Sequence, residues 1–101
     1  RRSSSAVAAA RAIAAERPAA VAFAQAWAYG NHLYVRPAHV VDLPVAPEPA
    51  DLERAREAEF VALYASTTTL DRRARLGGLG FVHWREFEEG GRTVVVWRGE
   101  E

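Results

Sequence analysis

Apolar residues recur along this chain first at helical spacing and later in alternation, and the change of period divides it. From Ser3 to Glu16, Val7, Ala10 and Ile13 form a thin stripe among alanines, and the leading serines offer cap oxygens. That pattern predicts a helix. Proline is tolerated in a first helical turn, so a second helix is expected from Pro18 to about Tyr29. Val21, Ala24 and Ala28 would lie on one side of it, with Phe23 and Trp27 paired at i,i+4 and Gly30-Asn31 as the stop. His32–Arg36 and His39–Leu43 are short, partly β-branched and separated by Pro37, which predicts at least one brief edge strand. The proline-rich run Leu43–Pro49 reads as an extended connector. A third helix is expected from Asp51 to about Ala65, through Leu52, Ala55, Phe60, Ala62 and Leu63.

Thr68 and Asp71 match a capping box for a short helix that ends at Gly77-Gly78. Leu70 and Ala74 would share its buried face, Arg72 and Arg75 would point outward, and Arg73 would sit at the shoulder. Beyond it the period drops to two. Phe81–Phe87 and Thr93–Trp97 read as strands joined at Gly90-Gly91, which sets Glu89 opposite Arg92 and Trp84 opposite Trp97. The predicted core contains Phe23, Trp27, Leu63, Leu70, Leu79 and at least one of Trp84 and Trp97. The fold class is a single small α+β domain over residues 1–101. Its N-terminal part, 1–29, is helical, and residues 50–98 form a helix, a second helix and a hairpin.

A chain of 101 residues, half of them hydrophobic, suffices for one modest core. Absence of cysteine excludes disulfides, thiolate metal sites and a thiol nucleophile. No apolar run is long enough to span a bilayer, and Arg1–Ala28 lacks the compact Leu/Val block of a signal peptide. These features lead to an expectation of a cytoplasmic protein without a membrane partner. The chain has no methionine, as expected for a fragment or processed product of a longer protein. Formal net charge is zero, which argues against coating nucleic acid by bulk electrostatics. All 13 basic residues are arginine, a choice that GC-rich coding also produces. Both ends are mildly basic and the 42–59 stretch is acidic, a distribution also compatible with ordinary solvated faces.

Candidate chemistry is sparse. His32, His39 and His83 match no compact ligand spacing, so neither a metal nor another cofactor is expected. Glu86 and Glu88 fall on one strand face without a second acid–base partner. Ser3-Ser-Ser5 has no nucleophile-elbow context, and Gly77-Gly78-Leu-Gly80 follows a helix instead of leading into one, unlike a phosphate-cradling loop. No catalytic residue can be assembled from spacing.

From Ala22 onward the expected element order resembles the winged helix-turn-helix. Between Leu63 and Arg98 the polar turn, Thr-rich cap, Leu-x-Arg-Arg, glycine-bearing link and Gly-Arg before a valine-rich strand are similar to the multiple-antibiotic-resistance regulator type. The resemblance implies a DNA-binding transcriptional regulator. Thr67, Thr68, Thr69, Arg72, Arg73 and Arg75 would then occupy reading-helix positions in the major groove, and Arg92 would be the wing arginine. Threonines at a helix N-terminus can donate to phosphate, and arginine can grip guanine with two donors. The acidic wing residues Glu86, Glu88 and Glu89 oppose it. A homodimer through the alanine-rich N-terminal helices would complete the regulator. The alternative is a non-catalytic protein–protein interaction module or a subunit of a larger assembly.

Overall fold

The computed structural model describes residues 4–26 and 30–100. Within them lie three α-helices, α1 (Ser5–Ala15), α2 (Pro49–Arg54) and α3 (Leu70–Gly78). The strands are β1 (Ala20–Ala24), β2 (His39–Leu43), β3 (Phe60–Tyr64), β4 (Phe81–Glu89) and β5 (Arg92–Gly99). They form one five-stranded sheet in the order β2-β1-β3-β5-β4. β1 runs parallel to both β2 and β3, whereas β5 is antiparallel to β3 and β4. The domain is therefore α+β, as its composition of elements led one to expect, around a mixed sheet.

α1 forms where propensity places it. Ser4 caps it by accepting from the Val7 amide at 3.2 Å. Ala6, Ala9, Ala10 and Ile13 are buried, and the helix packs against β4 and β5. The alanine face is thus spent against the chain's own sheet.

Two expected helices instead contain strands. Ala20–Ala24, placed in a helix running from Pro18 to Tyr29, is β1. It lies between β2 and β3 with Val21 to Ala24 buried, so no solvent face imposes a visible alternation. Trp27 and Tyr29, and with them the expected Phe23–Trp27 pair, lie outside the described residues. The helix expected over Asp51–Ala65 stops at Arg54, and Phe60–Tyr64 forms β3 with all five residues buried. α2 and α3 are consequently separated by a central strand and not by a tight turn. His32–Arg36 is not a strand: Asn31–Val35 makes a 3₁₀ helix, and β2 alone supplies the brief edge strand.

The hairpin turns at Gly90-Gly91 as predicted, both glycines taking the positive φ values, 63° and 77°, of a tight turn. Glu89 faces Arg92, but His83, not Trp84, faces Trp97. A bulge between His83 and Arg85 inserts Trp84 as the extra residue, and its ring packs 4.9 Å from that of Phe60.

Register assigns the two faces. Phe60, Tyr64, Arg85, Phe87, Arg92, Val94, Val96 and Arg98 share the α1 side, where Arg98 meets Glu16 just beyond α1 at 3.4 Å. Val61, Leu63, His83, Glu86, Val95 and Trp97 share the other, where Arg73 of α3 lies 5.8 Å over the Trp97 ring. Phe23, Leu63 and Trp97 are core residues as expected, and Leu79 and Trp84 are partly buried. Leu70 is not: it is 84% exposed, Ala74 is exposed too, and Leu76 is the buried residue of α3.

Candidate functional site

The residues singled out by sequence gather around the start of α3, except one. The chain enters through a 3₁₀ turn at Ala65–Thr67, where three consecutive threonine hydroxyls do three different jobs. Thr67 donates to the Val45 carbonyl at 2.6 Å, anchoring the proline-rich connector. Thr68 is buried and donates to the Tyr64 carbonyl at 2.6 Å. Thr69, and not Thr68 as the capping-box spacing implied, is the N-cap, accepting from the Arg72 amide at 3.2 Å. The face that α3 packs inward carries Leu76, and Leu70 at its first turn faces out.

Arg72 does not project into solvent. Its Nε donates to the Pro47 carbonyl at 2.6 Å and its Nη1 to the Thr67 carbonyl at 2.8 Å, clamping α3 to the connector. Arg73 is exposed, with Nε donating to the Thr68 carbonyl at 3.3 Å and the guanidinium over Trp97. Arg75 is exposed and lines a shallow cleft of about 120 Å³ with Pro47, Pro49, Leu52 and Asp71. Among the described residues neither Arg73 nor Arg75 makes an ion pair. Arg92 stands apart. It lies on the α1 side of the sheet, 5.0 Å over the Tyr64 ring, with the sheet between it and Arg73.

Acidic groups border the α3 side of the sheet. Glu86 and Glu88 share that face of the edge strand β4, and Glu86 lies 3.2 Å from His83 Nε2. Beside the connector, Asp51 closes a reciprocal capping box on α2, accepting from the Glu48 amide at 2.9 Å. That amide, and next the Arg54 side chain, hold the Asp51 carboxyl below its ordinary range. Donating a hydrogen bond to the Glu53 carboxylate raises Arg56 above the ordinary guanidinium value. His32 Nδ1 lies 3.1 Å from the Ala26 carbonyl, and His39 is exposed on β2, so the histidines are dispersed. No group of three metal-ligating side chains converges among the described residues. No helix among them is long and apolar enough to cross a membrane.

Two features lay outside sequence reasoning. The Arg72 clamp joins residues 25 apart and uses backbone carbonyls, which leave no side-chain signature. Asn31 is buried, although a Gly-Asn pair reads as a solvent-facing stop. Comparison with family models, curated proteins and solved structures returns no match.

Proposed function

We propose that this domain is a non-catalytic interaction module that docks a protein partner bearing carboxylates on the outer face of α3. The observation that carries the reading is Leu70, a large apolar side chain 84% exposed at the first helical position, with exposed Arg73 one turn along and neither Arg73 nor Arg75 in an ion pair among the described residues. An exposed apolar anchor one turn from a guanidinium group suits a partner with an apolar residue next to Asp or Glu, which arginine can grip with two donors. Val45, also exposed, sits on the connector that Thr67 ties to this end of α3.

Regulatory DNA binding of the winged-helix kind is the second reading, and the exposure of Arg73 and Arg75 on a short helix favours it. The threonine hydroxyls and Arg72 are already engaged internally, Arg92 lies across the sheet, and Glu86 and Glu88 flank the face. The engaged hydroxyls, the clamped Arg72 and the distant Arg92 support a protein partner over a phosphate backbone, whereas the two glutamates oppose any anion.

One titration separates the two. Amide shifts of the α3 residues are followed as an acidic peptide alternating Glu and Leu, or random duplex DNA at low salt, is added. The module reading expects saturable shifts at Leu70, Arg73 and Arg75 with the peptide, abolished by Arg75→Glu. Shifts with DNA and none with peptide would transfer the site to the second reading. Silence in both arms would remove α3 from function.

A further inference from the structure

We infer that the open edge of β2 pairs with the same edge of a second copy of this chain, antiparallel about a two-fold axis at Val40, so that the two sheets become one. This edge lies at the other end of the sheet from β4, against which α3 packs, and the inference is independent of the α3 reading.

The two edges of the sheet, β2 and β4, are built differently. β4 is guarded by the Trp84 bulge and by Arg85, Glu86, Glu88 and Glu89, devices that discourage strand pairing. β2 keeps an unbroken register with β1, and its centre is Val40-Val41. Two hydrogen bonds fix which way its backbone faces. The His39 amide donates to the Ala19 carbonyl at 2.8 Å, and the Leu43 carbonyl accepts from the Gln25 amide at 2.7 Å. Odd-numbered residues of β2 therefore turn their backbone groups toward β1, and Val40 turns both of its groups to the open edge. Neither group has a hydrogen-bond partner among the described residues. On either side of Val40 the edge is partly engaged already. The Ala38 amide donates to the Val35 carbonyl at 3.0 Å, and the Asp42 carbonyl accepts from Arg54 Nη2 at 3.4 Å. Val40 is left with a donor and an acceptor side by side. A second Val40, related by a two-fold axis, supplies the matching acceptor and donor, which is the reciprocal bonded pair of an antiparallel ladder.

The side chains select the same register. Val40 and Asp42 share the α1 side of the sheet through their pairing with Val21 and Phe23. A two-fold axis can fall at Val40, Val41 or Asp42. At Asp42 it would set two carboxylates directly opposite, which is repulsive. At Val41 it would set each Val40 against the Asp42 carboxylate of the other copy. At Val40 it sets valine on valine and brings Asp42 opposite Ala38 of the second copy, beside Arg36. Arg36 is exposed and makes no ion pair among the described residues. With Leu33, Ala38 and Val40 it lines a cleft of about 490 Å³ along this edge, and Leu33, 54% exposed, gives the axis an apolar flank.

The test uses the whole chain. Sedimentation equilibrium should show a reversible monomer–dimer equilibrium with a dissociation constant on the order of 100 μM, as suits a small strand-edge contact. The chain has no cysteine, so Val40→Cys introduces a single thiol. Facing Cα atoms of a bonded antiparallel pair lie about 5.5 Å apart, within disulfide range. Val40→Cys should therefore oxidise to a covalent dimer about tenfold faster or more than Val45→Cys, an exposed position on the connector. Arg36→Glu should weaken association about tenfold, because two symmetry-related pairs turn from attraction to repulsion, with the thermal transition checking that the variant folds. A chain that stays monomeric at millimolar concentration would overturn the inference. So would equal oxidation rates at positions 40 and 45, or unchanged association in Arg36→Glu.

Discussion

Arg72→Ala should destabilise this domain far more than the same change at its neighbours, although all three arginines look alike in sequence. The guanidinium makes two hydrogen bonds to backbone carbonyls, 2.6 Å to Pro47 and 2.8 Å to Thr67. Hydrogen bonds from a charged donor contribute about 1.5–3 kcal/mol each where buried, and half-burial reduces that. Together they contribute about 2 kcal/mol, because truncation leaves both carbonyls to water and frees the connector from α3. For a domain of this size that is a fall in Tm on the order of 10 °C. Urea unfolding followed by tryptophan fluorescence would measure it, and an unchanged m value would show that the native fold persists. Arg75→Ala is the control, expected within about 0.5 kcal/mol of zero because the side chain is exposed and unpaired. Arg72→Lys should recover about half the loss, since an ammonium cannot span both carbonyls in a fixed fork. An Arg72→Ala loss no larger than that of Arg75→Ala would refute the clamp.

Leu76→Ala should cost about 2–5 kcal/mol as a cavity-forming change, while Leu70→Ala should be nearly neutral, and paired denaturation curves would show whether α3 faces inward as described. The depressed Asp51 carboxyl stabilises α2 above its unfolded-state pKa, so that contribution is fully present at neutral pH and fades as pH falls through its lower native value. Asp51→Asn should therefore flatten the acid limb of a pH–Tm profile; a native-like limb in the variant would show that the capping box is not its source.

How much of this was legible depends on how many faces of an element meet water. α1, α3 and the hairpin each have one solvated face, and for these the spacing of apolar residues and the glycine pair located the element and even the turn register. β1 and β3 have none. Ala-Val-Ala-Phe-Ala and Phe-Val-Ala-Leu-Tyr are apolar at every position, and alanine's intrinsic preference then pulled both toward helix. Without β3, neither the parallel pairing of β1 with β2 and β3 nor the separation of α2 from α3 follows from the sequence. The Trp84 bulge shifted half a strand by one residue without altering its composition. At the candidate site, position was legible and role was not. The same Thr-Thr-Thr-Leu-Asp-Arg-Arg can present hydroxyls and guanidinium groups outward or spend them on its own carbonyls. Much of this is decided by Val45 and Pro47, residues that local spacing does not bring near.

The alanine surface of α1 has a consequence for how this chain can change over generations. With Ala9 and Ala10 wholly buried, the gap between helix and sheet is one methyl group deep. A longer side chain there cannot be absorbed by a new rotamer; it must lift the helix off β4 and β5. Long exposed residues such as Arg11 or Leu33 have room to vary. In a lineage descending from this sequence, substitutions would accumulate at its bulkiest surface positions, while its smallest residues kept the record of ancestry.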